Sequence, residues 1–162
     1  MLKKYYKNIK ILYVEDDEIA RENGIEYLEN YFELIYDASD AIKALQLYEK
    51  YKPDIIITDI QMPKLNGLEF VKRIRQKDKK TQIIIITAFC DKDYLLKAIE
   101  LGLVKYLVKP VCEKEFEEAL FLCVNSLQNN ESNIIKLDEN SYFDIFNKNL
   151  LINEEIIKLR TK

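Results

Sequence analysis

The chain contains no histidine, and only three residues each of glycine, proline and cysteine among 162. Cys90, Cys112 and Cys123 have no C-x-x-C spacing. Without histidine to complete a set they argue against zinc and are read as small buried hydrophobes. No apolar run is long enough to span a bilayer, and the opening MLKKYYKNIK has charge but no apolar core before a cleavage site. The chain is therefore read as cytoplasmic, with no membrane partner. A net charge of −3 leaves no basic footprint for nucleic acid. What is present, 48% hydrophobic and 33% charged residues, is the composition of a globular protein rather than a disordered one.

Five short apolar runs, at 9–14, 32–38, 54–58, 82–87 and 104–108, alternate with helical patterns. The clearest helix is the last, where Phe116, Ala119, Leu120, Cys123, Val124 and Leu127 share one face. Runs such as Ile83 to Ile86 do not alternate apolar with polar, so their strands are expected to be buried on both faces. The pattern predicts a doubly wound α/β fold with a five-stranded parallel sheet in the order 2-1-3-4-5.

The scarce glycines and prolines act as punctuation. Pro53 precedes the third strand, Pro63 and Gly67 bracket the loop into the third helix, and Gly102 follows the fourth helix as a cap would. Gly24 lies inside the first helix, where it is read as a site of close packing.

Polar residues gather at the carboxyl ends of the strands. Glu15, Asp16 and Asp17 follow the first, Asp59 the third, Thr87 ends the fourth and Lys109 follows the fifth. In an open parallel sheet this is the end that binds ligands, at the switch point between the first and third strands. Three carboxylates sharing a cleft call for a cation, and hard oxygen donors suit Mg²⁺. Lys109 and Thr87 add a positive charge and a hydroxyl donor for a phosphoryl group in transfer, with Asp59 as its nucleophile.

Together ILYVEDDEIAR, DIIITDIQMPKLNG, IIIITA and YLVKP resemble the receiver domain of two-component response regulators, over residues 9 to 128. The resemblance makes Asp59 the phosphoacceptor and places Mg²⁺ on Asp16, Asp59 and the Gln61 backbone carbonyl, with Glu15 acting through water. Thr87 and Lys109 would bind the phosphoryl oxygens, Tyr106 would be the aromatic that turns inward on activation, and the Lys109–Pro110 bond would be cis. Asp17 is then an extra acid, and Glu18 and Arg21 are read as helix surface. A sensor histidine kinase is the implied partner, and the chain would catalyse only its own phosphoryl transfer and dephosphorylation. A haloacid-dehalogenase-like phosphatase is the rival enzyme reading, but Gln61 stands where that family carries a second aspartate. A receiver that is never phosphorylated is the other alternative.

The chain departs from OmpR-type receivers at LGLVKYLVKP, where Val104 and Lys105 replace acids of their salt-bridged dimer face. Phe121 and Leu122 lie off the main stripe of the fifth helix and mark either a more apolar contact face or a surface packed under the tail. A homodimer is expected through the fourth helix, fifth strand and fifth helix, or through the tail. Residues 129–133 are read as a linker after the receiver domain at 1–128. Residues 134–162 have enough alternation for two or three strands and resemble the opening strands of an OmpR-type winged-helix output domain, expected to be truncated. DNA would be bound only by an output domain missing from this chain.

Overall fold

Ile55, Ile56 and Ile57 are fully buried because their strand is central in its sheet and covered on both sides. A computed structural model describes residues 5–88, 91–132, 134–138, 141–144, 149–152 and 155–158. The chain divides into two units, residues 1–123 and 124–162.

In the first unit β1 (Tyr6–Val14), β2 (Phe32–Ala38), β3 (Ile55–Thr58), β4 (Gln82–Thr87) and β5 (Lys105–Val108) form one parallel sheet in the order β2-β1-β3-β4-β5. They alternate with α1 (Glu18–Glu29), α2 (Ala41–Tyr51), α3 (Gly67–Arg75), α4 (Lys92–Glu100) and α5 (Glu113–Ser132), of which the part from Val124 on belongs to the second unit. The expected fold class and strand order are those observed.

The side chains of each strand divide between two layers. On one face Leu12, Val14, Ile56 and Ile83 pack with Ala44 and Tyr48 of α2 and Phe70, Val71 and Ile74 of α3. On the other face Tyr13 meets α1 at Gly24, where a Cβ would come within 2.4 Å of the Tyr13 ring. Close packing is thus the reason for that glycine. The Tyr27 ring of α1 packs tilted against that of Phe116 on α5, at 5.2 Å between centroids and 37° between planes, which places the start of α5 beside α1.

The helices start on side-chain caps: Asp17, Asp40, Asn66 and Asp91 each accept a hydrogen bond from the first turn of α1, α2, α3 and α4. After α4 the chain turns through Gly102 at φ +66°, where a side chain would be strained.

At the amino end of the sheet Asp78 anchors the turn into β4. It accepts from the Tyr48 hydroxyl, the Thr81 hydroxyl and the backbone N–H groups of Lys80 and Thr81. Burial opposes its charge, but these donors outweigh that and bring its pKa down to about 2.

Three expectations need correction. α5 continues to Ser132, so residues 129–132 are helix where a linker is expected. Asn133 lies outside the described residues. Cys123 is buried, but Cys112 is exposed, because it sits in the loop that opens α5 and its carbonyl accepts the Phe116 N–H. Cys90 lies outside the described residues.

The third correction concerns the second unit. It holds four strands rather than two or three: β6 (Ile134–Asp138), β7 (Ser141–Asp144), β8 (Asn149–Ile152) and β9 (Glu155–Lys158). They pair antiparallel in chain order, with Phe143 opposite Ile135 and Leu150, and Leu150 opposite Ile157.

Candidate functional site

The parallel register brings the ends of β1, β3 and β4 side by side. Val14 pairs with Thr58, Thr58 with Ile85, and Thr87 with Val108 at the end of β5. The residues that follow those ends therefore meet in one cleft.

Glu15 and Asp59 are 3% and 7% exposed, and Lys109 bridges them. Its Nζ donates to Glu15 Oε2 at 2.7 Å and to Asp59 Oδ2 at 2.8 Å. Asp59 Oδ1 accepts the Gln61 backbone N–H at 3.1 Å, and Glu15 Oε1 accepts that of Asp17 at the same distance.

Charge balance explains the bridge. Burial raises the Glu15 pKa, and Lys109 works against that rise by hydrogen bond and charge. For Lys109 burial disfavours the ammonium, but Asp59 and Glu15 more than offset it and its pKa is raised. Tyr13, beneath the cleft on β1, is held protonated by burial and by Glu15, with its pKa pushed up to about 12.

Asp16 is exposed beside this pair, and Glu15, Asp16 and Asp59 present oxygens that all lie within 4.8 Å of one another. Mg²⁺ binds oxygen at about 2.1 Å, so two ligands on opposite sides of one ion stand about 4.2 Å apart. A modest contraction, or one carboxylate acting through water, fits this hard-oxygen set to such a cation. Asp17 faces elsewhere: its Oδ1 caps α1 through the Ala20 N–H at 2.8 Å.

Thr87 is fully buried, and its carbonyl accepts the Lys109 N–H at 2.8 Å. The Lys109–Pro110 bond is cis. Tyr106 lies on the edge strand β5, half-buried against the cluster of Ile60, Leu68, Ile85 and Ala98. Pro110 and Gln61 are exposed.

The sequence reading missed Arg21. Far from being helix surface, its side chain is 16% exposed, donates to the Glu15 carbonyl at 2.8 Å and pairs with Asp37 at 3.2 Å. The signal was its place one turn after the Asp17 cap, on the side of α1 that turns back toward β1.

Residues 11–121 match the response regulator receiver domain family. The chain belongs to that family. Its receiver is 34% identical over 121 residues to an uncharacterised response regulatory protein of Staphylococcus epidermidis, covering 73% of this chain and 47% of that one. It is 35% identical over 114 residues to the transcriptional regulatory protein BtsR of Escherichia coli, covering 69% and 46%. The chain spans about half the length of the curated relatives it matches.

Among solved structures, the N-terminal domain of an uncharacterised protein from Wolinella succinogenes superposes with a TM-score of 0.71 at 40% identity, covering 75% of this chain and 98% of that one. A LuxR-family DNA-binding response regulator of Staphylococcus aureus gives a TM-score of 0.67 at 28% identity, covering 71% and 98%. This is the receiver domain of a two-component response regulator, and it has relatives named as transcriptional regulators. Among the described residues no helix is long and apolar enough to cross a membrane.

Proposed function

We propose that this receiver is a phosphorylation-controlled switch in which Asp59 takes a phosphoryl group from a histidine kinase or a small phosphodonor. The observation that carries the reading is the Lys109 ammonium shared between Glu15 and Asp59 at 2.7 and 2.8 Å, at the carboxyl end of a parallel sheet. A buried carboxylate held by one lysine, with an exposed acid beside it, is equipped to receive an anionic group once its charge is balanced.

Mg²⁺ would be held by Asp16, Asp59 and the Gln61 carbonyl, with Glu15 acting through water. Bound there, it would offset the charge of the acids and supply a Lewis-acid contact for phosphoryl oxygens. Asp59 Oδ then attacks phosphorus. The new O–P bond forms as the bond to the donor nitrogen or oxygen breaks, and the departing electron pair leaves with the donor. Lys109 exchanges its contact with Asp59 for a phosphoryl oxygen, and Thr87 donates its hydroxyl to another. The movement of Thr87 vacates space on β4 beside Tyr106, which turns inward and changes the surface of α4, β5 and α5.

That surface carries exposed Leu95, Leu96, Ile99, Val108 and Leu122 and is the proposed partner or homodimer face. The sheet β6–β9 is the alternative dimer surface and, in this reading, the opening of an output domain whose further part contacts DNA.

The test is transfer from an autophosphorylated histidine kinase carrying labelled phosphate. Label should pass to the wild-type chain with Mg²⁺ present, and should not pass with EDTA or to Asp59→Asn. Transfer to Asp59→Asn at the wild-type rate would refute the assignment.

A further inference from the structure

Asp16 is exposed, whereas both its neighbours are fixed at several atoms. The Glu15 N–H donates to the Ala38 carbonyl at 3.1 Å, and the Glu15 carbonyl accepts Arg21 Nη1 at 2.8 Å. Arg21 Nε in turn donates to Asp37 Oδ2 at 3.2 Å. Both backbone groups of Glu15 are therefore tied to β2, one directly and one through the guanidinium. On the other side of Asp16, the Asp17 carbonyl accepts the backbone N–H of Arg21 at 2.9 Å, and the Asp17 N–H donates to Glu15 Oε1 at 3.1 Å. One residue thus touches both neighbours of the exposed acid.

Resting on the phosphorylation reading above, we infer that Arg21 is a positioning residue for the acidic pocket. It fixes the turn from Glu15 to Asp17 so that the carboxylates of Glu15 and Asp16 converge with Asp59 on a divalent cation. Arg21 touches neither cation nor phosphoryl group; it acts through the Glu15 carbonyl. The planar fork of a guanidinium can hold a carbonyl and a carboxylate at once, whereas a lysine offers one ammonium to both. Asp37 aims the guanidinium, so its loss loosens the grip without removing it. Partners of this outer kind are worth tenfold or more in metal affinity, because a ligand left to wander must be ordered at the moment of binding.

The test measures Mg²⁺ affinity by calorimetry alongside thermal unfolding, on the full chain. Arg21→Met should weaken Mg²⁺ binding by about tenfold or more, Arg21→Lys should recover part of that loss, and Asp37→Ala should cost about threefold. Thr81→Val, which removes hydroxyl contacts at the far end of the sheet, should lower the unfolding temperature and leave Mg²⁺ affinity unchanged. If affinity in Arg21→Met stays at the wild-type value while Asp59→Asn abolishes binding, the positioning role is overturned and the phosphorylation reading survives. Should Arg21→Met not fold, unchanged affinity in both Arg21→Lys and Asp37→Ala overturns it equally. A wild-type chain with no Asp59-dependent Mg²⁺ binding removes the phosphorylation reading and the inference with it.

Discussion

A Cβ on Gly67 would lie 1.8 Å from the carbonyl oxygen of Asp59. The first residue of α3 rests directly on the backbone that presents the central carboxylate, and its N–H donates to the Ile60 carbonyl at 2.8 Å. Only a residue without a side chain permits that approach. Gly67→Ala must push the start of α3 away from the end of β3. It should cost about 1–3 kcal/mol in urea unfolding, the range for overpacking a buried site. It should also weaken Mg²⁺ binding, since Asp59 moves with its backbone. Unchanged stability would contradict the contact.

Asp16 and Asp17 are adjacent exposed acids in different settings, the second bound to the first turn of α1. Asp17 caps α1 through Ala20, so Asp17→Ala should lose about 1 kcal/mol of stability with a small effect on Mg²⁺. Asp16→Ala should do the reverse, leaving the melting curve in place and weakening Mg²⁺ strongly. Calorimetric titration and thermal melts of the two variants check this. Equal losses of metal affinity would show that both acids serve as ligands.

Lys109 and Glu15 carry the pH dependence. The Lys109 pKa is raised, so its contribution to stability is fully present below the unfolded value of 10.5 and is lost as pH climbs above that toward the folded value. Glu15 works in the same sense at lower pH. Its folded pKa lies above the ordinary 4.5, so stability falls as pH rises through the window that begins there. Removing the ammonium widens that window. Lys109→Met should therefore lose about 1–3 kcal/mol at pH 7, the scale of a lost charged hydrogen bond at a partly exposed site. The loss should be smaller at pH 5 and should shrink with added Mg²⁺. A deficit that grows on acidification would contradict the charge balance.

The strands with long isoleucine runs were legible because burial on both faces writes itself as an unbroken apolar string, as in Ile83, Ile84 and Ile85. The acids could be placed because strand ends converge once the sheet order is known. What escaped was what polar residues hide. β1 begins at Tyr6 rather than Ile9, through Lys7 and Asn8, with its register shifted between Tyr6 and Lys10. The end of α5 runs through a polar stretch that a solvent-facing helix carries as readily as a loop. Arg21 has the composition of a surface residue, and its role appears only when β2 brings Asp37 to it from sixteen positions away. Cys112 shows that hydrophobic residue type does not fix burial at a helix start.

The central claim is that Asp59 is where the phosphoryl group goes, and intact-mass spectrometry after incubation with acetyl phosphate and Mg²⁺ tests it most directly. The account predicts one added phosphoryl group on the wild-type chain, located by peptide mapping to Asp59, none with EDTA, and none on Asp59→Asn. A persistent adduct on Asp59→Asn, or a wild-type phosphoryl group mapped to another residue, would contradict it.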